Sequence, residues 1–300
     1  MKVAVTGANS SVGQHLLARF AENSDVSVIA GVRSEKAAAS LPRSPQIAAR
    51  IISYDDVGEL AKTIAGASCI VHLAGILIES RASTYESANV AATVSVVEAS
   101  QKAGVKHFVL ISVLGASPDS PNRFLRSKGE AETAVMESGI SSSIIRTPML
   151  LGPGTAGAAA LVGTAARGKA KLLGGGRNVL RPLDVDDLSD AILRVCQTQP
   201  EGVSVHELVG PESITYRALV ARVAAMMEKP LTIGSIPLWI AKLGAAMTSR
   251  LSGGGISPTV IDVITSNEVV QKNADAEMGL SLTPLSRTLE KILTEKKQEI

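Results

Sequence analysis

Short β-rich runs alternate with longer stretches of helical spacing over the first 210 residues, and this alternation restricts the fold more than any other feature. The runs are KVAVT (2–6), VSVIAGV (26–32), ARIIS (49–53), CIVHL (69–73), HFVLIS (107–112) and SSIIR (142–146), with VSVHELVG (203–210) expected as the last strand. Strands that are almost entirely apolar and separated by helices form parallel sheets covered on both faces. The alternation therefore predicts a doubly wound α/β fold.

The composition describes a soluble globular chain with ample material for a core. Apolar residues make up 45% of the 300 residues and charged residues 19%, which excludes a disordered chain. The formal net charge is only +2, and the basic residues look scattered along the sequence rather than arranged on one face. We therefore expect no nucleic-acid partner, because such partners require a concentrated basic surface.

The cysteines and the apolar runs give no sign of an exported, metal-binding or membrane-spanning protein. Cys69 and Cys196 are far apart and lack CxxC or Cys/His spacing, so we expect two small buried thiols and no zinc site or disulfide framework. No apolar run reaches the roughly 18 residues of a membrane span, and the opening MKVAVTG is too short for a signal h-region. The sequence is therefore interpreted as cytoplasmic and without a metal.

The stretch TGANSSVG (6–13) lies where the first predicted strand turns into the first helix. In dinucleotide-binding proteins this turn brings backbone N–H groups and a positive helix end to a pyrophosphate. A serine stands where such loops usually carry their middle glycine, and its hydroxyl can donate to phosphate oxygens. The loop residues expected at the cofactor are Gly7, Asn9, Ser10, Ser11, Val12 and Gly13.

The end of the second predicted strand indicates which dinucleotide binds. An NAD site places an acidic residue on the ribose hydroxyls about 20 residues after the loop. Here the sequence is AGVRSEK, and Arg33 and Ser34 offer a positive charge and a donor where the 2′-phosphate of NADP would lie. The alternative is a solvated arginine on a turn. We expect the cofactor to be NADP(H).

Several motifs together resemble the extended and atypical short-chain dehydrogenase/reductases, which have a Rossmann fold. They are TGANSSVG, YDD (54–56), HLAG (72–75), YESANVAAT (85–93), SVLGAS (112–117), FLRSK (124–128), IIRTPMLLGPG (144–154) and PLDVDDLSDAI (182–192). VGPESITYRALV (209–220) followed by IPLWIAKL (236–243) resembles the branch that includes the Rossmann-type accessory subunit of respiratory complex I and its bacterial relatives. The resemblance covers nearly the whole chain.

The resemblance implies roles for residues outside the first loop. The acidic pair Asp55 and Asp56 would touch adenine, and the turn Leu73, Ala74, Gly75 would line the nicotinamide ribose. Asn89 would support the architecture of the active site. The remaining positions implied at the cofactor are Ser112, Lys128, Thr147 and Pro148.

The usual proton donor of this family is missing. Members that move hydride to a carbonyl use a tyrosine as acid, a lysine four residues later and a serine that polarises the carbonyl. Ser112 and Lys128 match two of these positions and are the catalytic candidates, but Phe124 stands at the third. A phenyl ring has no proton to give, so the family's usual proton relay cannot operate from this residue.

Other residues able to donate a proton have simpler explanations. We expect Tyr85 to serve packing, His72 to be a core histidine, and Asp184, Asp186 and Asp187 to cap a helix. His15 and His206 show no partner pattern in the sequence. None of these residues is proposed as catalytic.

The regular alternation ends near residue 150. The glycine- and alanine-rich segment 152–176 reads as a loop with one mobile helix, and RPLDVDDLSDAILRV (181–195) as a turn and helix. TYRALVARVAAMME (215–228) and PLWIAKLGAAMTSRL (237–251) have helical spacing. We place an NADP-binding domain at 1–155, to which the chain returns at about 181–210, and a smaller substrate-binding region over most of 156–300.

Two functions from different classes remain open. One is an NADP(H)-dependent oxidoreductase acting on an apolar or ring-bearing small molecule, with the acid supplied by substrate, water or Lys128. The other is a non-catalytic NADP(H)-binding protein that serves as an accessory subunit or redox sensor. A nucleotide-sugar epimerase or dehydratase is a weaker third alternative, because it too would need the missing tyrosine.

The helix predicted at 237–251 has a broad apolar face, with Lys242 and Arg250 outside it. Its members are Leu238, Trp239, Ile240, Leu243, Ala246, Met247 and Leu251. We expect this face to pack on the fold. The alternative is a surface for an apolar substrate, a protein partner or a peripheral membrane contact.

Overall fold

A seven-stranded, wholly parallel sheet forms the centre of the computed structural model, which describes residues 1–298 without the side chains of 250–252 and 295–298. Its strands are β1 (Lys2–Thr6), β2 (Ser27–Val32), β3 (Ile47–Ile51), β4 (Cys69–His72), β5 (His107–Val113), β6 (Ser141–Thr147) and β11 (Val203–Glu207). They run in the order β3-β2-β1-β4-β5-β6-β11. The predicted doubly wound sheet is therefore confirmed, and the order reverses between β1 and β4, where such folds bind ligands.

Helices cover both faces of this sheet because the inner strands, such as β1, β2 and β4, bury apolar residues on both sides. The helices of this half are α1 (Ser11–Ala21), α2 (Glu35–Ala39), α3 (Val57–Thr63), α4 (Ala92–Ala103), α5 (Arg123–Met136) and α7 (Val185–Thr198). Val3 and Val5 belong to the core layer that includes residues of α1 and α7. Ala4, between them, belongs to the opposite layer with residues of α3, α4 and α5.

The spacing of Val90, Val94, Val97 and Ala103 predicts one buried helical face, and for α4 this prediction is partly wrong. Val97 is buried as expected, but Val94 is exposed. Within α4 the buried face instead includes Val96 and Val97, and Val90 lies in a π-helical turn over Glu86–Ala91 that runs directly into this helix. One wider turn rotates every following side chain relative to regular 3.6-residue spacing, so positions before and after it do not share a face.

Smaller strand pairs build the second half of the molecule. They are β7 (Leu150–Leu151) with β10 (Leu183–Asp184), β8 (Lys169–Leu173) with β13 (Thr232–Ile236), and β9 (Val179–Leu180) with β12 (Ile214–Thr215). The remaining helices are α6 (Ala156–Ala165), α8 (Tyr216–Met226), α9 (Leu238–Ser252), α10 (Pro258–Ile264) and α11 (Leu285–Gln298). The expectation of a loop with one helix over 152–176 missed β8, whose lysines alternate with buried Ala170 and Leu172.

The second half has its own apolar cluster but also returns to the sheet. Leu161, Leu219 and Leu289 are buried together in that cluster. The chain after α10 then comes back to the first core layer, where Ala274 and Met278 pack with residues of α1 and α7. The boundary near residue 155 stays a prediction, and this returning segment belongs by its packing to the sheet.

The two cysteines are buried free thiols, as expected. Their Sγ atoms lie 3.4 Å apart although 127 residues separate them in sequence. No helix in the described part of the chain is long and apolar enough to cross a membrane. Within those residues, no group of three or more His, Cys, Asp or Glu could hold a metal ion.

Candidate functional site

The loop after β1 has the backbone geometry of a dinucleotide cradle. Gly7 has a φ of +71°, which favours glycine, and a Cβ there would lie 2.9 Å from the amide nitrogen of Ala74. A Cβ on Gly13 would lie 2.7 Å from the carbonyl carbon of Ala8. The two glycines therefore let this loop approach the turn after β4 and let α1 begin close against its own loop.

Ser10 is explained by helix capping. It is the N-cap of α1, and its hydroxyl accepts a hydrogen bond from the Gly13 N–H at 3.0 Å. The hydroxyl proton is still able to donate, as the sequence suggested, while Asn9 is exposed beside it. Ser11 and Val12 open the helix, so their N–H groups belong to the first turn, where anions bind.

The residues expected at the adenosine end follow β2 and β3. Arg33 and Ser34 are exposed at the carboxyl end of β2, and the Ser34 hydroxyl caps α2 by accepting from the Ala37 N–H. Asp56 caps α3 by accepting from the Glu59 N–H at 2.9 Å, and Asp55 is exposed beside it. Two of the four side chains thus have a structural role of their own, which leaves Arg33 and Asp55 most available to a ligand.

Asn89 holds the turn that follows β4, in keeping with the supporting role that the resemblance implies. Its side-chain oxygen accepts from the Ile76 N–H at 2.8 Å, and its amide donates to the Ile76 carbonyl and to the Ser127 hydroxyl. Leu73, Ala74 and Gly75 lie just before Ile76. A Cβ on Gly75 would be 3.1 Å from the Asn89 oxygen and 3.9 Å from the Lys128 Nζ, so the turn, Asn89 and Lys128 meet at one place.

Ser112 lies at the end of β5, and the side chain of Lys128 on α5 reaches the same place, where the nicotinamide half of a dinucleotide would extend. The Lys128 ammonium is buried and donates to the Ile111 carbonyl at 2.9 Å. Burial lowers the pKa of Lys128 to about 8. The Ser112 hydroxyl is buried and has no hydrogen-bond partner among the described atoms. The Thr147 hydroxyl donates to the Ser112 carbonyl at 3.1 Å, next to half-buried Pro148.

Phe124 is buried against Tyr85, with ring centroids 5.7 Å apart. The Tyr85 hydroxyl donates to the Leu77 carbonyl at 2.8 Å, and burial raises the pKa of Tyr85. The expectation that Tyr85 serves packing is therefore confirmed. Because its hydroxyl already has an acceptor, Tyr85 does not replace the proton donor that Phe124 lacks.

His72 is the core histidine that the sequence suggested. Its Nδ1 lies 2.6 Å from the Thr6 hydroxyl and its Nε2 lies 3.1 Å from the Thr93 hydroxyl. Complete burial lowers the pKa of His72 to about 3, which keeps the ring neutral at physiological pH.

His15 and His206 have partners in the structure that no sequence pattern indicated. His15 Nδ1 lies 2.8 Å from Asp186 Oδ1, and its Nε2 lies 2.8 Å from the Pro153 carbonyl oxygen. His206 Nδ1 lies 3.4 Å from Glu277 Oε1. The His15 and Asp186 positions are 171 residues apart, so no local spacing announces the contact.

The three aspartates at the start of α7 have different tasks. Asp184 is the N-cap, as expected, and accepts from the Asp186 N–H at 2.9 Å. Asp186 and Asp187 instead bind other segments, since Asp186 pairs with His15 and with Lys291 while Asp187 accepts from Thr283. These contacts tie α1, α7 and α11 together.

The His15–Asp186 contact predicts a pH dependence of stability. The hydrogen bond to Asp186 raises the pKa of His15 above its usual 6.5. The stabilisation of the fold by this hydrogen bond is therefore complete below pH 6.5 and is lost as pH rises through the raised pKa of His15. We expect His15→Gln to cost about 0.2–1 kcal/mol at pH 6 and less at pH 8, as measured by urea unfolding at both pH values. A cost that grows with pH would contradict the assignment.

A family model described as NAD(P)H-binding matches residues 7–172, more than half of the chain. The chain belongs to this NAD(P)H-binding family. Its matched residues include the loop after β1, the turn after β4 and the Ser112 and Lys128 positions. The family resemblance inferred from the sequence motifs is confirmed.

Relatives of known name extend the similarity beyond the family model. The chain is 26% identical over 309 residues to the mitochondrial NADH dehydrogenase [ubiquinone] 1 alpha subcomplex subunit 9 of Arabidopsis thaliana, covering 93% of this chain and 73% of that protein. It is 25% identical over 240 residues to the ceramide reductase of Caulobacter vibrioides, covering 77% and 72%.

The fold is also that of solved nucleotide-sugar enzymes. UDP-glucuronic acid 4-epimerase from Bacillus cereus, in complex with UDP-glucuronic acid and NAD, superposes over 100% of both chains with a TM-score of 0.75 and 18% sequence identity. At this identity the similarity establishes the Rossmann-type fold alone.

The residues of this NAD(P)H-binding chain fit a dinucleotide along the carboxyl edge of the sheet. Gly7 lets the loop after β1 approach the turn after β4, and Gly13 lets α1 begin close against that loop, where the first turn of α1 offers N–H groups. At the other end, the orphaned Ser112 hydroxyl and the buried Lys128 ammonium can bind ligand oxygens.

Proposed function

We propose that the protein is an NADP(H)-dependent oxidoreductase of the atypical short-chain dehydrogenase/reductase branch, acting on an apolar or ring-bearing small molecule. This proposal rests on the buried Ser112 hydroxyl, which has no hydrogen-bond partner among the described atoms. It lies at the same strand end as the Ile111 carbonyl, which accepts a hydrogen bond from the Lys128 ammonium. An unpaired buried polar group costs about 1–3 kcal/mol. A ligand oxygen hydrogen-bonded to Ser112 would remove that cost.

Bound NADPH would supply a hydride, and the protein's own residues would position and polarise the acceptor. The Ser112 hydroxyl would donate to the substrate oxygen. Lys128, with its pKa lowered to about 8, is mainly an ammonium at pH 7 and would hold the ribose or donate a proton to the developing alkoxide. Phe124 and Tyr85 would keep this end of the cleft dry and apolar. The relative named ceramide reductase supports a reductase with an apolar substrate.

A non-catalytic accessory role is the second candidate. Phe124 favours this role, because its ring has no proton to donate. The Tyr85 hydroxyl already donates to the Leu77 carbonyl, so it does not replace the family's acid either. The relative named as a subunit of mitochondrial NADH dehydrogenase supports it. A nucleotide-sugar epimerase, suggested by the solved neighbours, is a weaker alternative since the same tyrosine is missing.

Steady-state NADPH oxidation over a panel of ketones, aldehydes and enones separates these functions. The oxidoreductase proposal expects turnover that declines above about pH 8 and is lost in Lys128→Ala but partly kept in Lys128→Arg. Tight NADPH binding with no oxidation by any member of the panel would favour the accessory role. Brisk turnover insensitive to Lys128→Ala would move the chemistry to another part of the chain.

Arg33 should determine the preference for NADPH over NADH. A charge-assisted contact to the 2′-phosphate is worth about 1.5–3 kcal/mol, so Arg33→Ala should weaken NADPH binding by about 10- to 150-fold and leave NADH binding unchanged. Calorimetric titration with both cofactors measures this. Arg126→Ala, which removes an exposed arginine of α5, is the matched control. Equal affinity of the wild type for both cofactors would overturn the NADP assignment.

A further inference from the structure

Four large apolar side chains of α9 face solvent, so the expectation that this face packs on the fold is wrong for them. Their exposed fractions are 69% for Trp239, 46% for Ile240, 59% for Leu243 and 62% for Met247. We call these four residues the α9 stripe. Leu238 and Ala246 are half-buried, whereas Arg250 and Leu251 lie outside the described side chains.

The opposite side of α9 explains how the helix is held. Ala245 is buried, and the Lys242 Nζ lies 2.5 Å from Asp262 Oδ1 on α10. On α10 itself, Val260 and Ile261 are buried. The helix is therefore anchored through α10, and its stripe is left uncovered by any other described element.

Basic residues are concentrated next to this stripe, which corrects the expectation that they are scattered. Residues 151–183 contain five basic side chains and no acidic one, and residues 229–261 contain three basic and no acidic ones, in a chain whose net charge is only +2. The two segments meet as the parallel pair β8 and β13, with Lys169 opposite Thr232 and Lys171 opposite Gly234. Both lysines are exposed.

The basic strand pair leads along the chain into α9, the helix that carries the stripe. Strand β13 ends at Ile236 and α9 begins at Leu238. Around Gly174–Gly176, a Cβ on Gly175 would lie 3.3 Å from the Ser235 hydroxyl and 3.8 Å from Arg177 Nε. Within the described part of the chain, neither lysine nor Arg177 takes part in an ion pair. These cations are therefore free to meet an external anion.

We propose that the α9 stripe and the cations of β8 and the β8–β9 connection, Lys169, Lys171 and Arg177, dock the protein on an anionic lipid surface. An apolar helix face that carries a tryptophan and is flanked by Lys and Arg suits the boundary between headgroups and acyl chains. Anionic headgroups would neutralise the unpaired cations. A nucleic acid would use the cations but not the stripe, and an apolar protein partner would use the stripe but not the cations. This inference does not depend on the proposed enzymatic activity.

Vesicle flotation tests the proposal, and the protein carries its own probe because Trp239 is its single tryptophan. With phosphatidylcholine vesicles containing phosphatidylglycerol, we expect the protein to float and its tryptophan emission to shift to the blue. With phosphatidylcholine alone, binding should be far weaker. Leu243→Glu/Met247→Glu should reduce binding at least about tenfold, and Lys169→Gln/Lys171→Gln about fivefold for each lysine removed.

Matched controls use exposed residues elsewhere on the molecule. Val205→Glu changes an exposed apolar residue of the edge strand β11, and Lys102→Gln/Lys106→Gln removes two exposed lysines at and just beyond the end of α4. Neither should alter flotation. The proposal is overturned if the wild type fails to bind anionic vesicles, binds neutral ones equally well, or loses binding equally in the controls. It is also overturned if sedimentation shows a wild-type dimer that Leu243→Glu/Met247→Glu converts to a monomer.

Discussion

Phe124→Tyr is expected to raise NADPH-dependent carbonyl reduction by about 10²- to 10⁴-fold, the usual contribution of a positioned general acid. The substitution adds one hydroxyl on α5, one helical turn from the Lys128 ammonium, whose own pKa is lowered to about 8 by burial. A nearby ammonium stabilises a phenolate and makes the new hydroxyl a better acid. NADPH affinity should change little, because the ring already occupies this place.

The measurement is steady-state NADPH oxidation by wild type, Phe124→Tyr and the control Phe124→Leu over the same carbonyl panel. The Leu variant lacks both ring and hydroxyl, so it should not gain activity. Phe124→Tyr/Lys128→Ala should lose the gain. If the Tyr variant binds NADPH normally and reduces no member of the panel faster than wild type, Ser112 and Lys128 do not face a carbonyl substrate.

Gly129→Ala should destabilise the protein by about 3 kcal/mol or more, since overpacking against backbone leaves no side chain able to move aside. A Cβ at this position on α5 would lie 2.6 Å from the Ser117 Cα and closer still to backbone atoms of Ser117 and Pro118. Helix or loop must therefore shift. Because Lys128 is the preceding residue, we also expect weaker NADPH binding in the fraction that folds.

Gly163→Ala is the matched control, because Gly163 also lies within a helix, α6, and a Cβ there would meet nothing within 4 Å. Alanine favours a helix over glycine by up to about 1 kcal/mol. The control should therefore be neutral or stabilising in urea unfolding. Equal destabilisation by the two substitutions would show that the steric argument at Gly129 is wrong.

The sheet and the cofactor loop could be predicted because their signals are local. Most of the seven strands contain a short apolar run, and a parallel arrangement follows from the helices between them. The loop shows itself by Gly7 and Gly13 at the turn from strand to helix. The spacing of Phe124 and Lys128 places them on one helix face, which the structure bears out with both side chains buried on α5.

Other features escaped prediction because they depend on contacts between distant residues. His15 meets Asp186 only when α1 and α7 pack side by side. Cys69 of β4 likewise meets Cys196 of α7 only in the folded chain. Whether the apolar face of α9 is buried or exposed depends on which other elements pack beside it, and the sequence of α9 alone does not specify them. The alternation of Lys169, Ala170, Lys171 and Leu172 was a usable strand signal, hidden among glycines and alanines.

Because of the returning segment at residues 274–282, the core layer around β1 and α1 depends on residues that are synthesised late. The last strand of the main sheet ends at Glu207, yet Ala274, Met278, Leu280 and Leu282 pack with the layer formed by β1 and α1. On the ribosome, that layer stays incomplete until the chain has been made almost to α11. A chain that ends between β11 and residue 274 would therefore leave part of this apolar layer uncovered. We expect such a truncated chain to be bound by chaperones or degraded, and not to fold as an independent nucleotide-binding domain.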